Sequence, residues 1–209
     1  MYFSVPGIHD AFARVIWWLI SNYIEVFATL TGLIYVVYTI KGKILCWLFG
    51  IISSLCFVYV FFHSKIYANM GLYVYYVFIS IYGWIYWSKS NSDEKEFKVS
   101  IINIKYGGIL LAISSILFVL IALGLKQYTD SDIVFPDAFT TSLSIVATWM
   151  LARKILYHWL VWIVIDSVYI AMYIYKGLYA TVILFMVYTI FAIIGYFEWH
   201  KKWKKQVTK

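Results

Sequence analysis

Charged side chains are scarce in this chain: Asp, Glu, Lys and Arg together make up 13% of its 209 residues, about half the share of a soluble domain. Only two prolines and two cysteines occur, while aromatic residues reach 22%. That combination excludes a disordered chain except at the termini. Cys46 and Cys56 lie in one apolar segment with no Cys-x-x-Cys and no Cys/His cluster, so they read as small buried helix residues and no metal or cofactor is expected. His-Glu-x-x-His, Gly-x-Ser-x-Gly and paired carboxylates within an apolar segment are all missing, which argues against an intramembrane enzyme. The stretch Met1 to Ile20, with Asp10 and Arg14, lacks the basic region, apolar core and small-residue cleavage site of a signal peptide.

What fills the chain is apolar surface. Hydrophobic residues make up 64% and the mean hydropathy is +0.82, a composition that belongs in a bilayer. Apolar segments fall at about 23–40, 44–62, 67–87, 106–125, 138–151, 155–175 and 179–199, and Val134 and Phe135 extend the short fifth. The net charge of +7 could point to nucleic acid, but its placement points to a lipid surface instead. With seven spans and the basic tail His200–Lys205 in the cytoplasm, thirteen of seventeen Lys and Arg fall inside and only Arg14, Lys65, Lys126 and Lys176 outside, the asymmetry that orients membrane proteins. The expected topology has the N-terminus extracytoplasmic and the C-terminus cytoplasmic.

Two stretches repeat without a gap at an offset of 112 residues: residues 31–87 against 143–199 share ten identities in 57 positions, half of them Trp, Tyr and Gly. Trp47-Leu48 matches Trp159-Leu160, Leu72 matches Leu184, Tyr76 matches Tyr188, and Gly83 and Trp87 match Gly195 and Trp199. Internal repeats in membrane chains mark secondary transporters, with the substrate between the halves. Three spans per repeat invert direction, and the unpaired segment 106–125 restores it. The architecture reads as an all-α bundle of seven transmembrane helices, 3+1+3, with parallel repeats. Its parts are an N-terminal extracytoplasmic or interfacial segment 1–22, a first repeat 23–87, a charged cytoplasmic linker 88–105, the connecting helix 106–125, an extracytoplasmic loop 126–137, a second repeat 138–199 and a basic tail 200–209. Within 1–22, an interfacial helix ending near Asn22, with Trp17 and Trp18 at the headgroups, fits better than an eighth span. Ser88–Ser100 reads as a solvated loop, and Trp87, Trp199 and Trp203 read as interfacial belt residues.

Candidate site residues concentrate in the sixth span, where Trp159, Trp162, Asp166 and Tyr169 share one helical face. Asp166 lies halfway along the span, where a carboxylate costs roughly 3 kcal/mol to insert and should therefore face a polar cavity. A carboxylate among indole and phenol rings describes a site for a flat organic cation, each desolvated ring adding about 2 kcal/mol. The same register in the first repeat gives Trp47, Gly50, Ser54 and Phe57, so the repeat keeps its shape but not its charge. Asn69, Tyr73 and Tyr76 on one face of span three, Tyr188 as the counterpart of Tyr76, and Trp149 in span five complete the set. Glu25 and Asp137, aligned near the outer ends of the leading spans, are left out of it. Gly83 and Gly195 read as points of close helix contact.

Tyr67-Ala-Asn-Met-Gly-Leu72 with Tyr82-Gly-Trp-Ile-Tyr-Trp87, and Trp159-Leu-Val-Trp-Ile-Val-Ile-Asp166 with Tyr175-Lys-Gly-Leu-Tyr179 and Gly195-Tyr-Phe-Glu-Trp199, resemble the signatures of the PnuC family of vitamin-precursor transporters over residues 24–203. The resemblance implies a SWEET-like bundle, multi-pass in the bacterial inner (cytoplasmic) membrane. It implies facilitated diffusion of nicotinamide riboside or, in sister groups, thiamine, riboflavin or deoxynucleosides, with trapping by a cytoplasmic kinase. Nicotinamide riboside ranks first and thiamine second; both carry a fixed positive ring that suits Asp166. Members of the family often have Asp and Gln where this chain has Asn69 and Tyr73. A homo-oligomer is compatible with the sequence but not specified by it, and a non-transporting scaffold would leave Asp166 unexplained.

Overall fold

The computed structural model describes residues 13, 16–18, 20–63, 67–93, 97–129, 132–177 and 179–208, with the side chains at 67–68, 90–93 and 180 outside that description. Long helices follow one another: α1 (Tyr23–Lys41), α2 (Leu45–His63), α3 (Tyr67–Asp93), α4 (Ile104–Tyr128), α5 (Val134–Ala152), α6 (His158–Tyr175) and α7 (Tyr179–Val207). Six of these, all but α3, contain a stretch apolar and long enough to cross a bilayer. Helix α3 has the length, but its six tyrosines lower its hydropathy. The expectations for Arg14, Lys65 and Lys95 and for most of segment 1–22 lie outside the described residues. Within that segment, Trp17 and Trp18 are 70% and 52% exposed. Asn22 (φ −114°, ψ 32°) leaves helical geometry before α1.

Neighbouring helices pack in the order α1–α2–α3 and α5–α6–α7, and the two sets meet along α3–α5 and α1–α7. Exchanging α1 with α5, α2 with α6 and α3 with α7 maps this set of contacts onto itself. Helix α4 packs on α5 and has no counterpart. The helix ends repeat in the same way. Gly42 closes α1 in the left-handed region (φ 69°), with Gly42 N–H donating to Thr39 O at 2.9 Å and Lys43 N–H to Tyr38 O at 3.0 Å. One offset later Lys154 takes the same conformation (φ 58°), with Lys154 N–H donating to Leu151 O at 2.8 Å and Ile155 N–H to Met150 O at 2.9 Å. Both are Schellman closures, one with the glycine that the conformation favours and one without.

The core lies toward the end of the bundle that carries Lys41, Arg153 and Lys202, here called the basic end. Four indoles form a ladder across it: Trp47–Trp87, Trp87–Trp199 and Trp199–Trp159, with ring centroids 5.4, 6.3 and 5.8 Å apart. Trp47 lies against Gly83, where a Cβ would fall 2.4 Å from its ring, and Trp159 lies against Gly195, where the distance would be 2.6 Å. Trp87 Nε1 donates to Ala152 O at 3.0 Å, and Trp199 Nε1 to Ile40 O at 3.2 Å, so each tryptophan caps the end of the other set's leading helix. This corrects the reading of Trp87 and Trp199 as belt residues: both are fully buried and Trp203 packs on their cluster. Their depth along the chain matches a belt, but they turn inward to carbonyls at the ends of the opposite unit's leading helix.

The boundaries shift for related reasons. Helix α3 runs to Asp93 and α7 to Val207, well past the apolar segments; on α7, Trp203 packs on the core cluster and Gln206 bonds Phe97 and Val99. The sixth helix starts at His158 rather than 155, since Ile155 pairs with Ser100 in an isolated parallel bridge. Ser88–Ser100 is therefore not a solvated loop throughout: Trp87–Phe97 rings lie 4.9 Å apart and Val99 is buried. The expected loop 126–137 shrinks at both ends, with α4 reaching Tyr128 and α5 starting at Val134.

Candidate functional site

Beyond the indole ladder, away from the basic end, each set of three helices holds a cluster of four rings, and the clusters match at the 112-residue offset. Phe57–Phe61, Phe57–Tyr73, Phe61–Tyr73 and Tyr73–Tyr76 centroids are 5.8, 4.8, 5.3 and 5.3 Å apart. Tyr169–Tyr173, Tyr169–Phe185, Tyr173–Phe185 and Phe185–Tyr188 are 5.9, 4.7, 5.3 and 5.8 Å apart. The rings coincide, while three of the four pairs exchange Phe for Tyr and only Tyr76 and Tyr188 both keep the hydroxyl, so two matching frames present different polar atoms.

These polar atoms converge between the sets. Tyr73 faces Tyr188, Tyr169 and Tyr173 across the α3–α5–α6–α7 junction. Tyr76 lies beside Ser144, whose Oγ is buried without a hydrogen bond, and the Tyr188 hydroxyl approaches Gly32, the counterpart of Ser144. Tyr169 lies beside Thr140 and faces both Asp137 and Asp166, and Tyr188 faces Asp166 from α7. Asp166 is 3% exposed and makes no hydrogen bond or ion pair with a described residue. A buried carboxylate without a hydrogen-bond donor or a cation is costly to hold. The arrangement can therefore take a ligand that brings positive charge into a ring-lined space.

Of the residues singled out by sequence, Tyr73, Tyr76, Asp166, Tyr169 and Tyr188 come together here. Trp47 and Trp159 stand in the indole ladder instead, packed on glycines, and their Nε1 atoms are buried without partners. Trp162 packs on the ladder's cluster from the turn preceding Asp166. Ser54 is buried in α2 at the position matching Asp166. Trp149 is 39% exposed and lies outside the cluster, since the buried face of α5 is made by Ser144, Ala147, Thr148 and Leu151. Asn69 borders a separate groove of about 270 Å³ between α3, α4 and α5, opposite Asp137 and Thr141, with Tyr75 hydrogen-bonded to Ile145 O at 2.8 Å. Sequence reasoning missed Tyr173, Phe185, Phe61 and Asp137. The first three follow from carrying the repeat register through every ring. Asp137 sits one turn before Thr140 on α5, a face that only the packing reveals.

Comparison with known proteins bears on the fold and the family. A solved structure titled as the vitamin B3 transporter PnuC superimposes with a TM-score of 0.75 at 24% identity, covering 92% of this chain and 87% of that one. The nicotinamide riboside transporter PnuC of Escherichia coli (strain K12) is 27% identical over 203 residues, 85% of each chain. The riboflavin/roseoflavin transporter RibM of Streptomyces davaonensis is 25% identical over 124 residues, 58% of each. The family model described as nicotinamide mononucleotide transporter matches residues 22–201, and this chain belongs to that family.

Proposed function

We propose that this chain carries nicotinamide riboside across the membrane by facilitated diffusion, with the positive ring of the substrate held beside Asp166. As a member of a transporter family the chain moves a solute and is not an enzyme. The observation that carries the substrate reading is Asp166 itself, buried, without a hydrogen bond and faced by the Tyr169 and Tyr188 phenols. A fixed cation satisfies that carboxylate without a proton, and aromatic faces favour the flat ring. Relatives named nicotinamide riboside transporters match over most of the chain and favour the same solute.

The architecture behind this reading is seven spans, 3+1+3 and SWEET-like, with α1–α3 and α5–α7 as parallel units that rock about the site and α4 as the connector that keeps them parallel. The recurring ring contacts, helix closures and capping tryptophans support it. The basic end is the cytoplasmic one, as the charge distribution favours. A cytoplasmic kinase draws the flux inward by consuming the product.

The test is equilibrium binding by the purified protein to nicotinamide riboside, thiamine and riboflavin. Nicotinamide riboside binds most tightly, and Asp166→Asn weakens it by about 2 kcal/mol, roughly thirtyfold. Preference for neutral riboflavin, or an unchanged affinity in Asp166→Asn, overturns the cation site; preference for thiamine keeps the site and replaces the solute.

A further inference from the structure

We propose that residues 97–100 are a strap that closes the basic end of the transport path, with Phe97 as its plug. The inference rests on the transport reading above but concerns a different part of the chain from the Asp166 cluster. The Phe97 ring stands 4.9 Å from Trp87 and 5.0 Å from Trp199, which are counterparts in the two three-helix units. One ring thus serves two equivalent positions, between the units. It also covers Gly42, where a Cβ would fall 2.8 Å from the ring, and the ammonium groups of Lys154 and Lys202 lie 4.9 and 5.4 Å from its centre.

The hydrogen bonds of Phe97 O, Val99 N–H and Ser100 run to one unit. Gln206 Nε2 donates to Phe97 O at 3.1 Å, and Val99 N–H donates to Gln206 Oε1 at 3.2 Å. Ser100 N–H donates to Lys154 O at 2.8 Å, and Leu156 N–H to Ser100 O at 2.8 Å. Gln206, Lys154 and Leu156 belong to the α5–α7 unit. Toward the α1–α3 unit the Phe97 side chain presents only apolar contacts, Trp87 and the bare backbone of Gly42. Apolar contacts slide where hydrogen bonds hold. When the units rock apart, bonds that cross between them, among them Trp87 Nε1 to Ala152 O, Trp199 Nε1 to Ile40 O and Lys202 Nζ to Lys41 O, must part as well; the strap stays with α5–α7 and Phe97 leaves Trp87, so the path opens along that line.

The chain carries its own reporter. Cys46, fully buried in the first turn of α2, belongs to the same cluster as Val99 and Trp87. In a Cys56→Ser background, Phe97→Ala raises the rate at which a water-soluble maleimide modifies Cys46 by about tenfold or more, because truncating a half-buried Phe shifts a local opening by at least that factor. Gln206→Ala, which frees the strap and keeps the plug, does the same, whereas Ile101→Ala, on the exposed continuation of the strap, does not. Nicotinamide riboside affinity is unchanged in Phe97→Ala while its exchange across proteoliposomes changes. A folded Phe97→Ala protein with Cys46 as unreactive as in the parent overturns the proposal, and Gln206→Ala decides the matter if Phe97→Ala fails to fold. Absence of nicotinamide riboside binding in the parent refutes the substrate reading alone, since the thiol measurement needs no substrate.

Discussion

Gly83→Ala gives the sharpest check on the packing. The added methyl would fall 2.4 to 2.6 Å from three atoms of the Trp47 ring, and Trp47 is itself fully buried against Trp87 and Tyr35. The ring has no free space to move into, so helices α2 and α3 must separate. Overpacking of this kind costs about 1–3 kcal/mol, more than the ~1 kcal/mol that Ala gains over Gly in a helix. Gly108 in α4 is a control, since a Cβ there meets nothing within 4 Å. In detergent, followed by intrinsic fluorescence, Gly83→Ala melts lower by about 2–4 °C for each net kcal/mol lost, and Gly108→Ala melts at or above the parent. Gly195→Ala repeats the loss through Trp159. Trp47→Phe combined with Gly83→Ala recovers part of it, a coupling of about 0.5–3 kcal/mol between touching sites. If Gly83→Ala is as stable as the parent, the ladder is not packed as described.

Other outcomes follow from the same contacts. Lys154→Gly lowers the thermal midpoint although its φ of 58° suits glycine, because it removes a buried ammonium that lies 5.5 Å from the Trp87 ring and 4.9 Å from the Phe97 ring; Gly42→Ala lowers the midpoint through both backbone strain and the Phe97 ring. Trp199→Leu lowers stability by about 3 kcal/mol, since it empties a fully buried site and removes the indole's hydrogen bond to the end of α1; Trp149→Leu, at an exposed position, leaves the midpoint unchanged. Lys176 hydrogen-bonds Asp132 and holds its carboxyl below the ordinary carboxylate range. A lowered carboxyl stabilises the fold above the ordinary range and loses that contribution as pH falls through the lowered value. Lys176→Met therefore moves the Asp132 titration upward by NMR, with almost no change in melting at neutral pH because both groups are solvent-facing.

Much of the fold was legible because membrane helices announce themselves by composition, and because Trp and Gly kept their register at 112 residues. Depth in the bilayer can be read from position along a span; the direction a ring faces cannot. Trp87 and Trp199 sit at belt depth, and only the partner helix shows that they cap Ala152 and Ile40. Trp159 and Asp166 share a helical face, yet that face is long enough to run from the indole ladder into the tyrosine cluster, so one stripe serves packing at one end and the site at the other. Asn69 and Trp149 are of suitable residue types, but Asn69 borders the groove against α4 and Trp149 lies off the buried face of α5. Phe97 was hidden differently: one aromatic residue in a charged stretch gives no period to detect.

The ladder has a spectroscopic consequence. Four indoles held 5.4 to 6.3 Å apart at fixed angles have interacting transition dipoles, and such a set produces a split circular-dichroism band in the near ultraviolet. The central link, Trp87 to Trp199, joins the two units. Any rearrangement that parts them weakens the splitting while the outer pairs, each within one unit, keep theirs, so the protein reports its own state optically without a label.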